Sequence, residues 1–64
     1  MSEELDTAKR YRLRAEELKI IAEDEGAQRT RLTLRQIADD YERMAETLEA
    51  IDRTNRAIAR PRGG

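Results

Sequence analysis

Apolar residues recur every three or four positions through both halves of the chain, which is the spacing of one face of an α-helix. The series in the first half is Leu5, Ala8, Tyr11, Ala15, Leu18 and Ala22. The series in the second half is Leu34, Ile37, Ala38, Tyr41, Met44, Ala45, Leu48 and Ile51, and it continues through Asn55 to Ile58. Strict alternation of β-branched residues is absent. The pattern therefore predicts two amphipathic helices and no strands.

Residues that favour helix ends predict where these helices begin and end. Ser2 is a suitable N-cap, and the acidic residues after it suit the positive end of a helix. Gly26 suits the left-handed conformation that often ends a helix. We predict an all-α fold, an antiparallel two-helix hairpin formed by residues 1–60. Its parts are helix 1 at about 3–25, a turn at about 26–29, and helix 2 at about 30–59, followed by a flexible tail at 61–64.

The start of helix 2 carries competing signals. Thr33 followed by Gln36 has the form of a capping box. Thr30 is a second candidate N-cap, and a start as early as Ala27 also fits the sequence.

A sequence pattern repeats at an offset of 30 residues, with the form A-x-x-Y-x-x-x-A-E-x-L-x-x-I starting at Ala8 and again at Ala38. Gene duplication and convergence on one packing solution both account for it. A fold at Gly26 brings residues whose numbers sum to about 56 opposite each other, so that small residues face large ones.

The size of the chain predicts self-association. Chains under about 70–80 residues rarely bury a sufficient core alone, and this chain has 64 residues and no cysteine for a disulfide. Its apolar arcs are wide enough for two neighbours, so we predict a homodimeric four-helix bundle. Asn55 fits a register-setting polar residue, although an exposed Asn near a helix end is the simpler interpretation. The predicted oligomer interface consists of Leu13, Ile20, Ile21, Met44, Ile51, Asn55 and Ile58.

Charged residues make up 42% of the chain, and the net charge is −1. The densest basic strip on helix 1 consists of Lys9, Arg10, Arg12 and Arg14. Because acids are interspersed at helical spacing, a solvated face is the favoured interpretation of this strip, and phosphate binding is the alternative. The arginine-bearing C-terminus carries the same two interpretations, a solubilising end or a contact with RNA, lipid or an acidic protein.

The composition also limits the chemistry that we expect. Without His or Cys, the chain lacks a nucleophile–base pair and the usual metal ligands, so we predict no enzymatic activity, no cofactor and no metal site. The apolar runs are too short to span a membrane. The polar start after Met1 predicts a cytoplasmic protein without a membrane partner.

Two longer motifs stand in the two halves of the chain: Y-x-x-x-A-E-x-L starts at Tyr11, and L-x-x-I-A-x-D-Y-E-x-M-A starts at Leu34. Together they resemble a family of uncharacterised short helical-hairpin proteins common in alphaproteobacteria. The resemblance covers about residues 8–50 and implies a cytosolic bacterial origin, but no activity, ligand or catalytic residue. The proline usual in the turn of that family is absent here. In architecture alone, the hairpin also resembles Rop, a dimeric plasmid copy-control protein that binds RNA.

These observations lead to two functional hypotheses. The leading hypothesis is a non-enzymatic adaptor or regulatory subunit that acts through self-association and contacts with an unidentified protein. The alternative is a Rop-like dimer that binds RNA through the basic strip on helix 1.

Overall fold

A computed structural model describes residues 2–59, which form two helices packed side by side in opposite directions. Helix α1 spans Glu3–Asp24 and helix α2 spans Gln28–Ala59. The predicted all-α hairpin is confirmed. The predicted tail at 61–64 lies outside the described residues.

The predicted cap at the start of α1 is confirmed. The backbone of Ser2 is extended, and its hydroxyl accepts a hydrogen bond from the Leu5 amide at 3.1 Å. Acidic side chains fill the first turn, where the unpaired amides of a helix favour negative charge. The N-terminal end of α1 is therefore fixed by local sequence.

The end of α1 differs from the prediction, because Gly26 does not adopt the left-handed conformation. The helix ends where Glu25 becomes extended, with φ −78° and ψ 125°, and its amide donates to the Ala22 carbonyl at 3.2 Å. Two further bonds hold this connection. The Glu25 carboxylate accepts from the Ala27 amide at 3.0 Å, and its carbonyl accepts from Arg31 at 3.1 Å. The turn is thus closed by hydrogen bonds rather than by a left-handed glycine.

Helix α2 begins at Gln28, about two residues before the predicted start, and the predicted capping box at Thr33 is wrong. Thr33 lies inside the helix, where its hydroxyl donates to the Arg29 carbonyl at 3.0 Å. The Ala27 carbonyl accepts from the Arg31 amide at 2.9 Å, so the helix begins one residue after the earliest candidate start, Ala27.

Small residues line the contact between the helices. We call this contact the alanine seam, and its members are each no more than 1% exposed: Ala8, Ala15, Ala22, Ala38 and Ala45. Leu18 packs beside Ala15 and Ala38, with Leu34 and Tyr41 partly buried around them. These neighbours match the predicted register in which residue numbers sum to about 56.

The two helices are unequal in length, at 22 and 32 residues. In the register of the seam, the start of α1 lies beside residue 53, so the last turns of α2 extend beyond the N-terminal end of α1. The molecule is long and flat, with Cα extents of 59 × 16 × 11 Å. It therefore presents two broad faces, one on each side of the alanine seam.

Candidate interaction surface

Large apolar side chains on α2 form one continuous line along the surface. Ile37, Met44, Ile51 and Ile58 are spaced seven residues apart, and their exposed fractions range from 39% to 76%. Residues at this spacing lie almost one above another on a helix. We call this line the apolar stripe.

Tyrosine contacts identify the face on which the apolar stripe lies. The rings of Tyr11 and Tyr41 meet with centroids 5.4 Å apart and planes tilted by 52°. A cleft of about 300 Å³ beside them is lined by Thr7, Tyr11, Met44, Thr47 and Leu48. Met44 therefore shares one broad side of the hairpin with the two tyrosines, and we call this side the apolar face.

The outer border of the apolar stripe carries little charge. The residues one position beyond it around α2 are Thr33, Asp40, Thr47 and Thr54. The single acid among them, Asp40, is bound by Arg43 at 3.0 Å. The stripe and its border thus form an almost neutral strip in a chain whose residues are 42% charged.

The predicted interface residues do not all lie on this face. All are exposed, but Leu13 and Ile20 lie on the side of α1 that is turned away from Ala15 and from α2, given about 100° of rotation per residue. They are 62% and 61% exposed. Ile21 is at the edge of the apolar face, beside Leu18. A single flat interface can contain Ile21, Met44, Ile51, Asn55 and Ile58, but not Leu13 and Ile20.

Two ion pairs cross between the helices on the opposite broad side, which we call the ion-pair face. Arg12 donates to both carboxylate oxygens of Glu49, at 2.7 and 3.0 Å. Lys19 donates to Glu42 at 2.6 Å and to Glu16 at 3.4 Å. Arg12 and Lys19 are seven residues apart on α1, and their partners Glu49 and Glu42 are seven residues apart on α2. The two ion pairs therefore support the same alignment of the helices along their axes.

These contacts change the proton affinities of the paired groups. The hydrogen bond from Arg12 lowers the pKa of the Glu49 carboxyl, against a smaller opposing effect of desolvation. The hydrogen bond to Glu42 raises the pKa of the Lys19 ammonium, and the second bond to Glu16 acts in the same direction. Both shifts therefore favour the charged forms of Glu49 and Lys19.

The basic strip proposed for phosphate binding is divided by these interactions. Arg12 is bound by Glu49, and Arg14 donates to Glu17 at 3.2 Å. Lys9 and Arg10 are exposed neighbours in sequence. Because about half of the strip is already neutralised by acids of the same chain, its positive potential is weaker than the sequence suggests.

The internal repeat includes the alanine seam but only one residue of the apolar stripe. Ala8 and Ala15 of α1 correspond to Ala38 and Ala45 of α2, and all four are buried. At the same offset of 30, the stripe residue Ile51 corresponds to Ile21, whereas Ile37 and Met44 correspond to Thr7 and Arg14. The helices thus share the residues that join them, whereas only α2 carries a full apolar stripe.

One buried charge was missed by sequence reasoning. Asp52 continues the seven-residue spacing of Ala38 and Ala45 and is 5% exposed, with a carboxylate oxygen 3.0 Å from Arg56. The register places it near the first turn of α1, where the helix dipole favours negative charge. Its spacing from Ala45 was the available signal, since it continues the line of buried alanines.

Within residues 2–59, no group of three or more acidic side chains is placed to hold a metal ion. Neither α1 nor α2 is long and apolar enough to cross a membrane.

The chain matches no protein-family model, no curated protein and no solved structure. The resemblance to alphaproteobacterial hairpin proteins therefore stays a prediction. The evidence on function comes from the apolar face and the ion-pair face of the hairpin.

Proposed function

We propose that this protein is a non-enzymatic helical hairpin that acts through self-association and protein–protein contacts, as a small adaptor or regulatory subunit. The observation that carries the proposal is the apolar stripe, which remains exposed along α2 and has a nearly neutral border. Large apolar residues aligned over several turns are characteristic of helices that pack against a further helix.

The composition of the core supports the same conclusion. The buried apolar residues are five alanines and Leu18, and no large side chain of the described region is fully buried. Burial stabilises in proportion to apolar area, at about 25 cal/mol per Å², so alanines contribute little each. Covering the apolar stripe would add the large side chains that the single hairpin leaves in water.

The RNA-binding alternative receives less support from the geometry. Arg12 and Arg14 are held by carboxylates of their own chain, and a phosphate would have to displace those acids. If RNA binding nevertheless occurs, its affinity must fall steeply with rising salt, because counterions are released on binding.

Light scattering coupled to size exclusion over a dilution series tests the proposal. We expect a species of twice the 7.4 kDa chain mass that dissociates on dilution. Met44→Glu should raise the dissociation constant at least about tenfold, because burying a Met side chain stabilises by about 1.5–3 kcal/mol.

Leu13→Glu is the matched control, since it adds the same charge to an exposed position on the far side of α1. It should leave the dissociation constant unchanged while helicity is retained. A monomer at all concentrations would contradict self-association. Equal weakening by both variants would contradict the assignment of the interface to the apolar face.

A further inference from the structure

We propose that the apolar stripe docks a second copy of this chain, with the two α2 helices antiparallel and a two-fold axis passing near residue 46. This inference rests on the proposed self-association and specifies which helices meet, in which direction and in which register.

The part of α2 that projects past α1 argues for an occupant outside the hairpin. Ile58 continues the spacing of Ile37, Met44 and Ile51 beyond the last residues that α1 can reach, and it is 76% exposed. Among the described residues, 2–59, the packing of α1 on α2 does not explain an apolar residue at that position. A second α2 running in the opposite direction would cover it.

A second line of residues beside the stripe completes a heptad pattern. Leu34, Tyr41, Leu48 and Asn55 are also spaced by seven, each three residues before a member of the stripe. In an antiparallel pair of helices, each line packs against the other line of the partner. A two-fold axis near residue 46, the middle of residues 34–58, pairs every member.

In this register, Met44 faces Leu48 of the second copy, and Tyr41 faces Ile51. Leu34 then faces Ile58, so the projecting end of each α2 lies at the loop end of the other hairpin. Ile21 lies at that end too, because the seam register places it beside residue 35 of its own α2. Asn55 faces Ile37, and the two-fold axis repeats this polar–apolar layer at the other end of the stripe.

Charge favours a copy of the same chain over a charged partner. A second copy presents the same nearly neutral strip, and the two-fold axis places Asp40 beside Thr54 rather than beside another Asp40. Like charges therefore do not meet across the stripe. A strongly charged protein partner would instead require a complementary charged border.

The length of the stripe suits an interface of ordinary size. A specific interface buries about 800 Å² on each partner. The two heptad lines of α2 run from residue 34 to residue 58, about 36 Å at 1.5 Å per residue, and the total accessible surface is 5209 Å².

Distance measurements between spin labels test the geometry. The chain has no native cysteine, so Thr33→Cys, Thr47→Cys and Thr54→Cys can each carry one nitroxide on the border of the stripe. With a rise of 1.5 Å per residue, the antiparallel arrangement separates the labels along the axis by only a few ångström at position 47. The separation becomes about 24 Å at position 54 and about 39 Å at position 33.

The order of the three distances decides the outcome. A short label-to-label distance at position 47, an intermediate one at 54 and a long one at 33 would support the proposal. Equal short distances at all three would indicate parallel helices, and a long distance at 47 would indicate another face or register. Either result, in a species that light scattering shows to be a dimer, overturns this geometry and leaves self-association intact. A monomer without dipolar coupling overturns both and assigns the stripe to a different protein.

Discussion

The alanine seam and the apolar stripe run in parallel along α2, about a third of a turn apart, yet they differ in every physical respect. Ala38 and Ala45 are completely buried against α1, whereas Met44 and Ile51, the neighbours of Ala45 on the stripe, are 41% and 42% exposed. Small residues allow the two backbones to approach closely. The hairpin thus buries its smallest apolar side chains and leaves its largest ones in contact with water.

The residues that set the spacing of the two helices are therefore not the residues with the most apolar surface to bury. Alanine at each level of the seam excludes other spacings of the helices, because any larger side chain would force them apart. Alanine contributes little hydrophobic free energy in return. The seam therefore determines which hairpin forms, and the stripe holds four of the eight exposed large apolar side chains of residues 2–59 in one continuous line.

The largest expected change in stability comes from placing a large apolar side chain, like those of the stripe, in the alanine seam. Ala45→Leu should destabilise the folded protein by about 1–3 kcal/mol, because the added side chain overpacks a site without free space. Thermal or urea unfolding followed by circular dichroism measures the change.

Ala50→Leu is the matched control, since it places the same side chain at an exposed position of the same helix. It should change the free energy of unfolding by less than about 0.5 kcal/mol. Equal effects of the two variants would show that the seam is not tightly packed.

A smaller effect is expected in the connection that keeps the two helices in register. Gly26 is not in the left-handed region, and a Cβ there would meet no atom within 4 Å. Gly26→Ala should therefore stabilise the protein by about 0.4–1 kcal/mol, because it restricts the unfolded chain.

Gly26→Ala changes neither the seam nor the stripe, so its effect should add to that of Ala45→Leu within about 0.3–0.5 kcal/mol. A loss of stability from Gly26→Ala in urea unfolding would mean that this residue requires glycine after all.

The smallest expected change in stability concerns the ion-pair face, which borders the alanine seam on the side opposite the apolar stripe. The pKa of Glu49 is lowered on folding, so its contribution to stability is present above its ordinary value of 4.5. That contribution is lost as the pH falls through the lowered pKa of the folded state.

Glu49→Gln should thus be less stable than the original protein at pH 7 and should lose less stability on acidification, so that the two curves converge as the pH falls below the lowered pKa of Glu49. Unfolding midpoints measured between pH 7 and pH 3 test this. Glu23→Gln, at an exposed position outside the ion pairs of the described residues, should run parallel to the original protein. A Glu49→Gln curve parallel to the original would show that the pair with Arg12 contributes no stability.

Much of the fold could be predicted from the sequence. The spacing of Ala8, Ala15, Ala38 and Ala45 predicts helices, their buried side and their register, because helix periodicity and local size matching are properties of neighbouring residues. The Ser2 cap is equally local. The left-handed conformation predicted for Gly26 and the helix start predicted at Thr33 are wrong. Both depend on hydrogen bonds across the turn, such as that from Arg31 to the Glu25 carbonyl.

The candidate surface could be predicted only in part. The exposure of Met44, Ile51 and Ile58 agrees with their place outside the seam. The division that leaves Leu13 and Ile20 on another side could not be read from a list of surplus apolar residues. It requires the direction of the neighbouring helix.

Two helices, a small-residue seam and a surplus of apolar side chains on α2 follow from the sequence alone, because each depends on spacing along one chain. Which broad side is apolar and which is ion-paired is set by the packing of the helices on each other. That choice depends on the rotation of each helix about its own axis, and this rotation is fixed when the alanines of the two helices pack against each other.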